Sequence, residues 1–505
     1  VVLASNPLPE DAGSSGNSFS DSATHENGTA WHESKANGKS KTLPKKRAER
    51  LEEKSSTIPP NSSNRSVWEE LAEIEKQILR PEKKETQHPK GAKGGWSRLK
   101  HWLKGEITPA GIVRRDPVHT PSAVLPLARI RQAGSKQGWS KEFEKSFLLV
   151  LQAAAQFSRT EGELFHDAVS SSKEAKQILG ALSEEKRLKP WSVMLEELRS
   201  GKIKGKHARQ CELGIECDEA KVGVLRADWD KDAAHVGLDF SSPLCQLDVR
   251  LMDRVIFQTP WETRIEIDGD EFSTTSQPWE NVGWNEDEFG QYIEVKQEVA
   301  EGVTIERVIF VPRHSKMVLL LDVLRASSAA KTRIEWNLAS PTVGGISPLG
   351  ETRARQAEGV DFDLRFLPVA GYSGELEPSC QSISANGGKL RVTAEQKGAA
   401  VALPLLVVWD KKSLGPQRIW RPLTVTSDRV PVATHEAFAV RVPHEGKQMV
   451  FFRSLVGTRR FAFIGHQTFY ETIVGDIDDK GKLTDWLAVD ADPDTPWFYS
   501  SEETS

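Results

Sequence analysis

From about residue 211 onward, apolar and polar positions alternate with a period of two. Leu247, Val249 and Leu251 alternate with Asp248, Arg250 and Met252, the pattern of a strand with one buried face. Residues 264–267 run into Asp268-Gly269, a strong short hairpin signal. Residues 295–299 and 303–311 flank a turn at Glu301-Gly302, and Asn386-Gly387 reads as another hairpin tip. The run 317–323 is apolar except for Asp322 and suits a buried strand. Further strands are expected at 332–338, 362–369, 389–394, 401–409, 437–442, 448–454, 460–464, 469–477 and 483–489. Many strands joined by short turns, with no helices between them, predict antiparallel β-structure.

Before residue 211 the period is helical. Ser66 and Glu69 have capping-box spacing, Leu71, Ile74 and Ile78 follow at helical intervals, and Pro81 ends the segment. A Gly- and Lys-rich stretch leads to a short helical turn around Trp96, Leu99 and Trp102. Phe143, Phe147, Val150, Leu151, Ala154 and Phe157 form one stripe, the buried face of a helix. Two more helices are expected at 173–182 and 192–201. Residues 1–64 lack periodicity and are rich in Ser, Asn, Gly, Lys and Glu, so they are read as a disordered polar tail. The organisation expected is a tail at 1–64, a linker with a short helix at 65–119, a small helical subdomain at 120–205 and a β-domain at 206–505.

Composition narrows the function classes. Among 505 residues, 67 Lys and Arg nearly balance 72 Asp and Glu, which argues against a chain built around nucleic acid. Arg98, Lys100 and Lys104 interleave with Trp96 and Trp102, yet no nucleic-acid fold accompanies them, and no nucleic-acid partner is expected. No apolar run is long enough for a membrane-spanning helix. No secretory signal lies near Val1, so the compartment stays open. P-loop, dinucleotide and G-x-S-x-G motifs are absent, and no cofactor is expected. Cys211 and Cys217 lack metal-site spacing and suit either a disulfide or two free buried thiols. His235 and Asp239 are the best-spaced ligand pair, and no metal is expected from so few ligands. The 15 Trp against 4 Tyr and 4 Met call for either a large core or a sugar-stacking surface.

Three stretches carry a resemblance. Residues 218–229, from Asp218 through Val222-Gly223-Val224-Leu225-Arg226 to Trp229, resemble the opening of the C-terminal β-domain of heparinase II/III-like polysaccharide lyases. The strand Ala234-His235-Val236-Gly237-Leu238-Asp239-Phe240 is similar to that domain's next strand. Tyr292 through Arg307–Val311 to Leu321-Asp322-Val323-Leu324 is similar to its paired strands. The resemblance covers about 210–345 directly and 345–490 by strand pattern. It implies a large antiparallel two-sheet β-sandwich of heparinase II/III type, preceded by a small helical subdomain. It also implies an acidic or complex polysaccharide as partner and β-elimination as the reaction.

The sequence departs from the family in two places. The lyases carry a Gly-His-Gly-His-x-Asp stretch after this strand, with one His at the scission site. Here the residues are Ser241-Ser242-Pro243-Leu244-Cys245-Gln246-Leu247-Asp248, without either His, and only Asp248 falls near the acidic position. The lyases also place a Tyr and other catalytic groups on a large helical toroid, for which only the short region ending near 200 can stand.

His466 and Tyr470 lie four apart on an expected strand and so share a face, where they suit an acid–base pair. Arg453, Arg459 and Arg460 are nearby and suit the carboxylate or sulfate of an anionic sugar. The alternative is a half-exposed strand with a satisfied His. Trp261, Trp279 and Trp284, set among Glu262, Glu280, Glu286, Asp287 and Glu288, form the most sugar-like surface, with packing as the alternative. Trp336, Trp409 and Trp420 read as core. Three functions remain: a lyase-related protein acting on or binding polysaccharide, a non-catalytic carbohydrate-binding or scaffold module, and a fragment of a lyase whose helical domain lies upstream.

Overall fold

The computed structural model describes residues 66–79, 90–134, 139–159, 162–165, 211–230, 232–272, 277–349, 353–370, 381–410, 420–444, 447–478 and 480–490, with isolated positions 193 and 197. All lie in one compact unit, Arg65–Ser505. The tail at 1–64, the helices expected at 173–182 and 192–201, and Cys380 fall outside these spans. No helix among the described residues is long and apolar enough to cross a membrane.

The protein is mainly β, with antiparallel sheets packed face to face and a small helical part at its N-terminal side. A five-stranded meander runs Ile215–Cys217, Val222–Arg226, His235–Asp239, Gln246–Leu251, Arg254–Pro260. It packs on an 11-stranded sheet built around two long paired strands, Met317–Ala339 and Lys389–Asp410. A second five-stranded sheet, centred on Ala437–His444 and Lys447–Ser454, covers the other face of the large sheet. It carries in turn a four-stranded sheet made of Thr426–Ser427, Val430–Pro431, Phe461–Phe463 and His466–Thr468.

This layering explains the apolar run at 317–323. Val318, Leu320 and Leu324 enter the core beneath the meander, while Met317, Leu319, Leu321 and Val323 enter the core beneath the C-terminal sheet. A strand covered on both faces gains nothing from polar alternation. Asp322 faces the first core, where the buried Arg307 guanidinium grips it through two bonds, Nε to Oδ1 at 2.9 Å and Nη2 to Oδ2 at 3.0 Å. Thr263 and Trp336 donate to the same carboxylate. Hairpin tips fall as the sequence indicates at Asp268-Gly269, where both residues have positive φ.

The helical part comprises α1 (Val67–Leu79), α2 (Lys90–Glu106), α3 (Val124–Gly134) and α4 (Lys141–Phe157). Ser66 and Glu69 cap α1 reciprocally, as their spacing indicates. Ser140 caps α4 through the amide of Phe143. The Gly-rich segment, expected as a short turn, is a 17-residue helix. Tight packing outweighs its poor propensity, for a Cβ on Gly95 would meet Ile78 Cγ1 at 2.9 Å. The expected linker supplies Val67, Leu71, Ile74, Leu99, Trp102 and Leu103 to the same core as Phe143 and Phe147 of α4, so 65–119 and the residues after 120 share one core.

Candidate functional site

The helical part meets the β-part along a polar seam. Arg226, buried on the second meander strand, donates to the carbonyls of Gln156 (3.1 Å), in the last turn of α4, and Ser158 (2.8 Å), just after it. His235 Nε2 lies 2.9 Å from the Gln156 carbonyl. The ring is fully buried and held against Arg226, which explains why the His235–Asp239 pair is not a ligand set. Among the described residues no three His, Cys, Asp or Glu gather as metal ligands. Further out, Arg114 pairs with Glu219 at 2.7 Å across the seam.

Beside this ion pair the chain turns through Asp116-Pro117 into a short 3-10 helix, Pro117–Ala123. Proline at its first position suits a helix start. Asp116 precedes the helix but makes no side-chain cap. Its carboxylate instead takes the Trp68 indole N–H at Oδ2 (2.6 Å) and faces His119 Nδ1 at Oδ1 (2.7 Å). Burial pushes the Asp116 carboxyl up, but the bonds to His119 and Trp68 outweigh it and hold it below its ordinary value. The result is an oriented, partly exposed imidazole with a carboxylate behind it.

Across the seam stands Asp239, the last residue of strand His235–Asp239. Burial pushes its carboxyl up, opposed by hydrogen bonding to Ser241, raised further by the Asp116 charge and lowered by His119. The two sides of the seam therefore feel each other electrostatically. Their carboxyls are shifted in opposite directions, Asp116 down and Asp239 up, the kind of divergence on which acid–base pairs are built. In the sequence, 116–119 lie within the expected linker. Asp-Pro-x-His at a helix start was the available signal, but only the fold brings it opposite Asp239.

This architecture is shared with solved structures. The heparan sulfate lyase HepC from Pedobacter heparinus aligns with a TM-score of 0.55 at 11% identity, over 81% of this chain and 68% of that chain. A heparinase III aligns at 0.55 and 13% identity, over 81% and 68%, and another heparinase III structure at 0.52 and 10%, over 77% and 67%. The chain has a heparinase-like fold. It spans about two thirds of the length of these structures, and at such identities the likeness shows the fold alone. No protein-family model and no curated protein matches the chain.

On this heparinase-like frame, the loop 241–245 carries no His, and its Pro243 carbonyl accepts from Trp279 Nε1 at 2.8 Å. Asp248 is buried and held by Arg250 through two 3.0 Å bonds, while also accepting from the Phe165 amide. It is a structural residue.

The residues expected at 453–470 do not come together. Arg453 is fully buried between the large and C-terminal sheets, where Glu294 and Glu306 each lie 2.6 Å from Nη2 and Glu471 3.4 Å away. Burial alone would lower its pKa, yet the Glu294 and Glu471 carboxylates raise it above its ordinary value. No sugar anion can reach it, so the expected catalytic Arg453 is corrected to a structural ion-pair centre. Arg459 is likewise engaged, by Glu436 at 2.6 Å and Ser427 at 2.9 Å. His466 and Tyr470 were expected on one strand face, but that strand ends at Thr468 and Tyr470 lies beyond it. His466 is half-buried with its ring 5.5 Å from the Phe463 ring, and Tyr470 is exposed. Arg460 is exposed and donates to Gln467 Oε1 at 2.5 Å.

The Trp surface is also corrected. Trp261 and Trp279 are fully buried, and the Arg307 guanidinium lies 4.1 Å from one ring and 4.8 Å from the other. Their faces serve a buried cation–π stack and cannot receive a sugar. Trp284 is half-buried against the same core. Trp336, Trp409 and Trp420 are buried, as expected. Cys211, Cys217 and Cys245 are buried free thiols, with burial pushing Cys211 and Cys245 up to about 12.

Proposed function

We propose that this chain acts on an acidic polysaccharide at the seam between its helical part and the meander sheet. The reading is carried by one observation: the Asp116-held imidazole of His119 stands across from Asp239, a carboxyl whose pKa burial raises. In β-elimination a base takes the proton alpha to a uronate carboxylate and an acid returns one to the leaving glycosidic oxygen. His119, oriented by Asp116, has the chemistry of the base. Asp239 has that of the acid. The C–O bond breaks as the carbon–carbon double bond forms, and the missing family His pair is thereby replaced from the helical side.

A second reading is a non-catalytic polysaccharide-binding module. It is favoured by the loop 241–245, which offers no titratable side chain except the buried Cys245 thiol. Incubation of the purified chain with a panel of uronate glycans separates the two. A rise in unsaturated-uronate absorbance that disappears in His119→Ala supports the lyase. Binding on a glycan array without any rise supports the module.

A further inference from the structure

The four-stranded sheet holds a cavity of about 420 Å³ that the seam does not use, lined by Thr426, Asp428, Arg429, Arg460 and Gln467 among others. Two features point to a ligand. Among the described residues, Arg429 and Arg460 make no ion pair, whereas Arg453 and Arg459 of the same region are engaged by carboxylates. Arg429 also sits at φ 69° in the two-residue turn Asp428-Arg429 between Thr426–Ser427 and Val430–Pro431. Such a turn favours Asn-Gly, and a long side chain there carries a backbone cost that its own packing does not explain. Strain of this kind collects at functional positions. Val430, Phe469 and Tyr470, 64%, 61% and 41% exposed, lie on or beside the same sheet and add apolar surface of the kind sugar rings contact.

We propose that this cavity is an anionic-saccharide subsite, taking one sulfated or carboxylated sugar unit between the guanidinium groups of Arg429 and Arg460. Guanidinium forks match both oxyanions, and the Asp428 carboxylate accepts from sugar hydroxyls. With Asp428 in the lining, two cations face one carboxylate, and the excess charge fits one anionic group per unit. The ligand class rests on the glycan reading of the chain, but the subsite lies on a different sheet from the seam and is tested by binding, not by turnover.

The test is calorimetric titration of the full chain, in the His119→Ala background to prevent cleavage. The probes are a heparin-derived tetrasaccharide, an unsulfated uronate tetrasaccharide, cellotetraose and inorganic sulfate. At least one anionic oligosaccharide should bind, and added salt should weaken it. Arg429→Gly with Arg460→Gln should lower that affinity roughly tenfold or more. Arg429→Gly alone should not lower the thermal midpoint, since Gly relieves the turn, so lost binding cannot be ascribed to lost folding. Sulfated against unsulfated uronate tells which oxyanion is taken. No binding by either anionic probe, equal binding of cellotetraose, sulfate alone binding as tightly as the oligosaccharides, or affinity unchanged in the double variant each overturns the subsite. Failure of the lyase reading appears separately, as absent uronate absorbance in the chain with His119 intact.

Discussion

His119 Nδ1 lies 2.7 Å from Asp116 Oδ1, and the other oxygen of that carboxylate takes the Trp68 indole N–H. The imidazole is thereby fixed in orientation from behind, by a residue of α1 and a residue of the turn before the 3-10 helix. Asp116→Asn keeps the shape and removes the charge. Turnover of a uronate polymer should fall by about 10²–10⁴-fold, the range of a lost acid–base contribution. Trp68→Phe, which removes one bond to the carboxylate, should cost less. Equal turnover in wild type and Asp116→Asn, followed by uronate absorbance, would remove His119 from the mechanism.

The raised pKa of Asp239 gives a signed pH dependence. Its carboxyl lies above 3.8 in the folded protein, chiefly through burial. The folded state therefore binds more protons, and this contribution to stability is present below the unfolded pKa and lost as pH rises through the folded one. Asp239→Asn should thus gain stability relative to wild type as pH climbs above about 4. Thermal midpoints of both proteins across the acid range check this, and a constant difference contradicts it. If Asp239 is the acid, wild-type turnover also declines as pH passes its folded pKa.

Arg453 pairs with the buried carboxylates of Glu294, Glu306 and Glu471, and Arg325 also pairs with Glu306 and Glu471. Arg453→Ala should cost about 3–5 kcal/mol, because the buried Glu294 loses its ion-pair partner. Urea denaturation measures it. Arg460→Ala, on the exposed edge, should leave the unfolding midpoint nearly unchanged. The reverse order would contradict the placement of both side chains.

Asp322 and Arg307 form the corresponding pair in the first core. Asp322→Ala strands the guanidinium between Trp261 and Trp279 and should also cost about 3–5 kcal/mol. Trp261→Ala should cost a similar amount through its cavity. Neither the Trp261 nor the Trp279 environment should respond to added oligosaccharide, which single-Trp fluorine labelling can read.

Local pattern determined much of this protein. The switch from helical to two-residue period near 211, the Ser66–Glu69 cap, the α4 stripe and the Asp268-Gly269 tip all depend on neighbours a few residues apart, and each is in the sequence. Tertiary structure decided the rest. Whether a Trp faces sugar or core, and whether an Arg meets a ligand or a carboxylate, depends on partners such as Arg307 for Trp261 and Glu294 for Arg453, 46 and 159 positions away. The His466–Tyr470 expectation required a strand to continue past Thr468, where it stops. Asp116, His119 and Asp239 carry no shared local signal, because a seam between helices and sheet exists only after both have folded and docked.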